Sequence, residues 1–177
     1  KNIELPPVLN SLKTFYPRPD VSPFALFHRF KHFGYSYATI AERAGRSEAW
    51  LVGISSLFTP YAREALETAE VVREALPRAK IVLGGHHPTA LPEQVMQNPS
   101  VDFVLRGDGE ISMARLAAAL KSGTGIDDVP GLVRRDGGNR LFIKEPAWLQ
   151  NPDAVALPAT HLINRRHYRR GNRGSAV

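Results

Sequence analysis

Three short stretches hold the residue types from which a site could be built. Ser55-Ser56-Leu57 and Thr59 close one apolar run, Gly84-Gly85-His86-His87 close a second, and Arg106-Gly107-Asp108-Gly109-Glu110 follow a third. Two small hydroxyls at a strand's end hydrogen-bond a ligand without filling its space, or they cap the turn locally; the residues alone leave both readings open. Paired glycines let backbone approach a flat ligand, since no Cβ intervenes, or they make a tight turn with positive φ. Asp108 and Glu110 have the chemistry of an acid/base pair, and equally that of a cap and a dipole partner at a helix start. His86 and His87 invite a metal reading. On an extended chain adjacent side chains point to opposite sides, and no cysteine or helical HxxxH pattern completes a site, so no metal is expected. Neither glycine-rich turn has the GxxxxGK[ST] or GxGxxG spacing, and no nucleophile elbow is present, which argues against a nucleotide enzyme or a hydrolase.

The elements that must position these residues follow from hydrophobic periodicity. Ala49 to Phe58 is apolar without alternation, as expected of a strand covered on both faces. Thr59-Pro60 is a helix start, with Thr59 as N-cap. Ala62, Ala65, Leu66, Ala69, Val72 and Leu76 then fall at helical spacing, and Pro77 ends the helix. Lys80 to Leu83 is a short strand, Leu91 to Met96 one or two helical turns, and Val101 to Leu105 another strand. A helix runs on through Leu120 and stops at Gly123. Gly131 to Arg135 and Arg140 to Lys144 flank Asp136-Gly137-Gly138-Asn139, a hairpin signal. Upstream, Ser36 to Gly45 suits a short helix with Ser36 as N-cap and Gly45 at its end. This order predicts an α/β, Rossmann-like (flavodoxin-like) three-layer domain with a mostly parallel central sheet and a C-terminal hairpin. Both polar turns follow strands, so both lie on the sheet edge where open α/β folds bind ligands. No first strand is recognisable. Residues 1–34 are proline-broken and rich in aromatics, which predicts an irregular segment packed on the core, with a short helix near Pro23 to His32. The core domain is expected at 35–145.

Composition narrows the class. The chain has 177 residues, no cysteine and a formal net charge of +6. Without cysteine there is no disulfide, zinc–thiolate site, iron–sulfur cluster or cysteine nucleophile in this chain. That fits a reducing compartment, and a cytoplasmic location is the expectation. No apolar run is long enough to span a membrane. Arg165, Arg166, Arg169, Arg170 and Arg173 supply most of the excess charge, and no acid follows Asp153. Within that basic tail only Tyr168 interleaves an aromatic, so nucleic acid is not the expected partner.

In combination the motifs resemble a known family. Ser55-x-Leu57, then 26 residues, then Gly84-Gly85 matches the SxL…GG spacing of cobalamin-binding domains. The strings GISSLFT, VLGGHHPTALPEQV, VDFVLRGDGE and VPGLVRRDGG resemble the N-terminal domain of cobalamin-dependent radical S-adenosylmethionine enzymes, over about residues 34 to 158. The resemblance implies that cobalamin sits at the strands' carboxyl ends with its nucleotide tail between SxL and GG. Ser55, Leu57, Gly84 and Gly85 would then line the tail, Ser56 and Thr59 would belong to the same cofactor site, and His86, His87, Gly107, Asp108, Gly109 and Glu110 would lie near the corrin. Other cobalamin domains carry an upstream DxHxxG whose histidine ligates cobalt. Here the frame reads Arg29-Phe30-Lys31-His32-Phe33-Gly34, so a base-off cobalamin without a histidine ligand is implied. Such enzymes also need CxxxCxxC for a [4Fe–4S] cluster. The chain is therefore expected to be an excised domain of a methyltransferase- or cyclase-type enzyme, with 146–177 as a basic linker toward an absent radical barrel that holds the cluster and S-adenosylmethionine. The alternative is a docking domain that keeps the fold and binds no corrin.

Overall fold

A computed structural model describes residues 34–137 and 140–162, together with 2–3, 7 and 30–31. Two-residue strands β1 (Asn2–Ile3) and β2 (Phe30–Lys31) pair antiparallel in a small sheet of their own. The short helix expected near Pro23 to His32 thus gives way to strand at Phe30–Lys31; the rest of it, the remainder of 1–33 and the arginine tail lie outside the described residues.

Helix α1 (Tyr37–Ser47) begins where Ser36 accepts a hydrogen bond from the Thr39 amide at 3.2 Å. It runs past Gly45, which a side chain would suit equally, and ends at Glu48 in the left-handed region (φ 52°). β3 (Leu51–Ser55) follows, shorter than the apolar run because the chain turns off at Ser56. A 3-10 turn (Thr59–Tyr61) then leads into α2 (Ala62–Ala75). Ala65, Ala69 and Val72 are its buried face, small enough for close packing on the sheet. β4 (Lys80–Gly84) passes directly into α3 (His86–Ala90) and α4 (Pro92–Met96). β5 (Phe103–Leu105), α5 (Gly109–Ser122), β6 (Leu132–Arg135) and β7 (Leu141–Ile143) complete the domain. Gly123 ends α5 with φ 69°, a conformation that favours glycine.

The main sheet has the order β3-β4-β5-β6-β7, parallel through β5 and antiparallel where the hairpin β6–β7 is added at its edge. Alternate side chains feed two cores. Ile81, Leu83, Val104 and Val133 face Ala69, Val72 and Val95 on one side; Val82, Phe103, Leu105 and Leu132 face Leu116 on the other. Both faces are covered by helices, which is why the strands lack polar alternation. Among the described residues, β3 is the open edge of this sheet. No helix of the described residues is long and apolar enough to cross a membrane.

Candidate functional site

Register places the site. Ser55 pairs with Gly84, and Gly84 with Leu105, so the carboxyl ends of three parallel strands finish side by side. Beyond that line the chain makes three turns. A cavity of about 390 Å³ opens there, on the α5 side of the sheet. Its lining includes Ser55, Gly84, Gly85, Gly107, Asp108, Gly109 and Glu110, so parts of all three stretches singled out by residue type meet in one cleft. Gly53, Ile54, Val82, Leu105 and Met113 form the rest of the lining. Gly53 and Ile54 belong to the GISSLFT string, whereas Val82, Leu105 and Met113 read as core in the sequence; the one signal of open space beside them was Gly53, which interrupts an otherwise apolar strand.

The two paired glycines differ. Gly85 has φ 107°, and a Cβ there would stand 2.6 Å from the Ser56 carbonyl oxygen. Its missing side chain lets the turn after β4 press against the turn after β3. A Cβ on Gly84 would meet nothing nearer than the Leu105 carbonyl at 3.7 Å, so this glycine leaves space in the cleft. Gly107, with φ 83°, has its Cβ position taken by Ala147 backbone. Ala147 donates to the Arg106 carbonyl at 3.0 Å and accepts from the Asp108 amide at 2.7 Å. The segment after Glu145 thus begins by crossing the site's rim before its 3-10 turns at Pro152–Ala154 and Thr160–Leu162.

The remaining expected residues sit elsewhere. Leu57 is half exposed outside the cleft, and Ser56 is buried with its hydroxyl unpaired. Thr59 caps no helix amide; its hydroxyl instead meets His87 Nδ1 at 3.2 Å. His86 and His87 are helical, not extended: packing of α3 against the sheet overrides a weak local preference. His86 points to solvent, whereas His87 is 2% exposed and lies under the turns, away from the cleft lining. With its proton on Nδ1, His87 donates to Thr59 and leaves only a bare lone pair on the buried Nε2. An imidazolium would bury a second N–H without an acceptor, and burial holds the His87 pKa below its ordinary 6.5. Asp108 likewise caps no amide of α5; its carboxylate accepts from the Leu149 amide at 2.7 Å. The described residues hold no group of three or more His, Asp or Glu side chains able to bind a metal.

The fit to cobalamin can be tested on this geometry. A flat heteroaromatic base needs apolar walls, bare backbone and a neutral polar group at its edge. Val82, Leu105 and Met113 supply the first, Gly53 and Gly84 the second, and exposed Ser55 the third. The cleft volume is within the range of small-molecule sites. The residues present fit the nucleotide tail.

Comparison with known proteins shows the family. The family model for the B12 binding domain matches residues 26–117. The chain is 27% identical over 135 residues to an uncharacterised methyltransferase of Pyrococcus horikoshii, covering 76% of this chain and 29% of that protein. It is 28% identical over 137 residues to the anaerobic magnesium-protoporphyrin IX monomethyl ester cyclase of Cereibacter sphaeroides, covering 75% and 22%. The radical S-adenosylmethionine methyltransferase TsrM of Kitasatospora setae, solved with cobalamin and a [4Fe–4S] cluster, superposes with a TM-score of 0.55 at 22% identity, covering 70% of this chain and 23% of that one. That likeness carries the fold. The chain spans less than a third of the length of each of these proteins.

Proposed function

The chain belongs to the B12-binding domain family, and from that premise we propose that its cleft holds the nucleotide tail of cobalamin, base-off and without a histidine on cobalt. The single observation that carries this reading is the meeting of Ser55, Gly84 and an apolar floor in one cleft at the strands' carboxyl ends. Cobalamin, when bound, supplies cobalt-centred methyl-transfer and one-electron chemistry; the protein supplies placement. Ser55 would hydrogen-bond the base, Gly53 and Gly84 would let it lie against backbone, and Val82, Leu105 and Met113 would keep water from its faces. Asp108 and Glu110, at the rim, would accept from amide groups of the corrin's periphery. The ligation reading rests on the Arg29–Gly34 frame, where Lys31 stands at the place of the histidine.

The domain serves a longer polypeptide of methyltransferase or cyclase type. Its radical barrel carries the [4Fe–4S] cluster and S-adenosylmethionine in a reducing cytoplasm. The lengths and names of the relatives support this. The docking alternative draws on half-exposed Leu57, Phe58 and Tyr61 beside the open edge of β3. Gel filtration with hydroxocobalamin separates the two: corrin absorbance comigrates with the chain if the cleft is a cofactor site, and not if the domain only docks. Electron paramagnetic resonance of the bound cobalt(II) form tests the ligation. The expected spectrum lacks nitrogen superhyperfine splitting, and a triplet from an axial nitrogen would contradict it.

A further inference from the structure

We propose that α3 is a two-sided clamp, and that His87 and Thr89 are positioning residues that set the separation of the turns around the cleft. Residues two apart on a helix point about 200° from each other, so His87 and Thr89 reach to opposite sides. On one side, the His87 amide donates to the Ser56 carbonyl at 3.2 Å, and its ring meets Thr59 at 3.2 Å. Both partners belong to the turn after β3. On the other side, the Thr89 hydroxyl accepts from the Gly107 amide at 2.9 Å. The same hydroxyl donates to the Gly85 carbonyl at 2.8 Å. It therefore uses its donor and its acceptor to join the turn after β4 to the turn after β5. Arg106 closes the arc, donating from Nε to the Thr89 carbonyl at 3.1 Å and from Nη1 to the Lys144 carbonyl at 2.8 Å.

Neither His87 nor Thr89 lines the cleft, yet Ser55, Gly85 and Gly107 do, and each is adjacent to or held by one of these contacts. The Gly85 carbonyl also accepts from the Thr89 amide at 3.1 Å, so the group that depends on the hydroxyl is the Gly107 N–H, and the bond to Gly85 fixes the hydroxyl's lone pair toward it. Valine has the shape of threonine and neither function. It would strand the Gly107 N–H and let the third turn drift from the second.

The role rests on the cobalamin reading for its purpose but not for its test. Hydrogen exchange on the intact chain without ligand comes first. Thr89→Val should speed exchange of the Gly107 amide about tenfold, with the β4 amides unchanged, while Thr89→Ser stays close to the native rate. His87→Leu should speed the Tyr61 amide, which closes the 3-10 turn carrying Thr59, and His87→Asn should restore it. Hydroxocobalamin titration follows, with Kd expected to rise about tenfold in Thr89→Val and to remain within about twofold in Thr89→Ser. Unchanged Gly107 exchange in Thr89→Val, or equal losses in the valine and serine variants, would overturn the clamp. A native chain that binds no corrin would overturn the cobalamin reading instead, and the exchange data would still decide the clamp.

Discussion

The two ends of the central sheet are held by different chemistry. At the amino end, Arg73 donates to the Pro77, Ala79 and Ser100 carbonyls and pairs with Asp102. Asp102 also accepts from the Ile81 amide at 2.8 Å, at the start of β4. Arg135 ties β6 to the Met96, Asn98 and Val101 carbonyls. At the carboxyl end the turns nearest the cleft are joined by a neutral imidazole, a hydroxyl and backbone contacts that only glycine permits, and the charged groups there, Arg106 and Asp108, bond backbone at Thr89, Lys144 and Leu149. Charge-assisted bonds are the stronger ones, and most of those named here, with the Arg73–Asp102 ion pair, lie at the amino end, where no ligand goes. The wall between Ser55 and Gly84 is left without a fixed charge, which suits an uncharged aromatic base. Stability and binding are thus separable by position.

The largest effect expected from this contrast is at the amino end. Arg73→Met leaves Asp102 with only the Lys80 ammonium and the Ile81 amide and removes donors from three carbonyls, and urea unfolding should show a loss of about 3 kcal/mol. Corrin affinity of the folded fraction should be unchanged; a loss of binding at native stability would break the division between the ends. Next is Gly85→Ala, which forces a side chain into the left-handed region against the Ser56 carbonyl. It should cost about 2 kcal/mol and weaken binding as well, because it moves the wall of the cleft itself. Smaller is the pH dependence from His87, whose buried ring resists protonation. The unfolded chain takes up that proton near pH 6.5 and the folded chain does so only at lower pH. The contribution is therefore full above that pH and is lost as pH falls, by at most about 1.4 kcal/mol per pH unit. His87→Asn should flatten this limb of the pH–stability curve. The same slope in both proteins would place the titrating group elsewhere.

Much of the fold was legible because its signals are local. Unalternating apolar runs marked strands covered on both faces, Ser36 and Gly123 marked helix ends, and the Asp136–Asn139 turn marked the hairpin. The gap between Leu57 and Gly84 brought two turns to one edge, and register placed Ser55 against Gly84. What escaped depends on distant partners. Nothing near His86-His87-Pro88-Thr89-Ala90 favours a helix, and α3 forms because both its sides are bonded to neighbouring turns. Thr59 has the look of a cap and serves as the partner of a buried histidine. Ala147 lies far along the chain from Gly107 and still fills the space where its side chain would be. Val82, Leu105 and Met113 look like core because they are apolar, and only the bare Gly53 beside them turns that surface into a floor.

The most direct measurement is calorimetric titration of the intact chain with hydroxocobalamin, beside Gly84→Val. A Cβ there makes only an ordinary contact with the Leu105 carbonyl at 3.7 Å, so the unfolding midpoint should hold while the added volume lowers affinity at least about tenfold. Saturable one-to-one binding by the native chain, lost in the valine variant at native stability, is the result the cleft predicts. No binding by the native chain, or equal affinity in the two proteins, would contradict it.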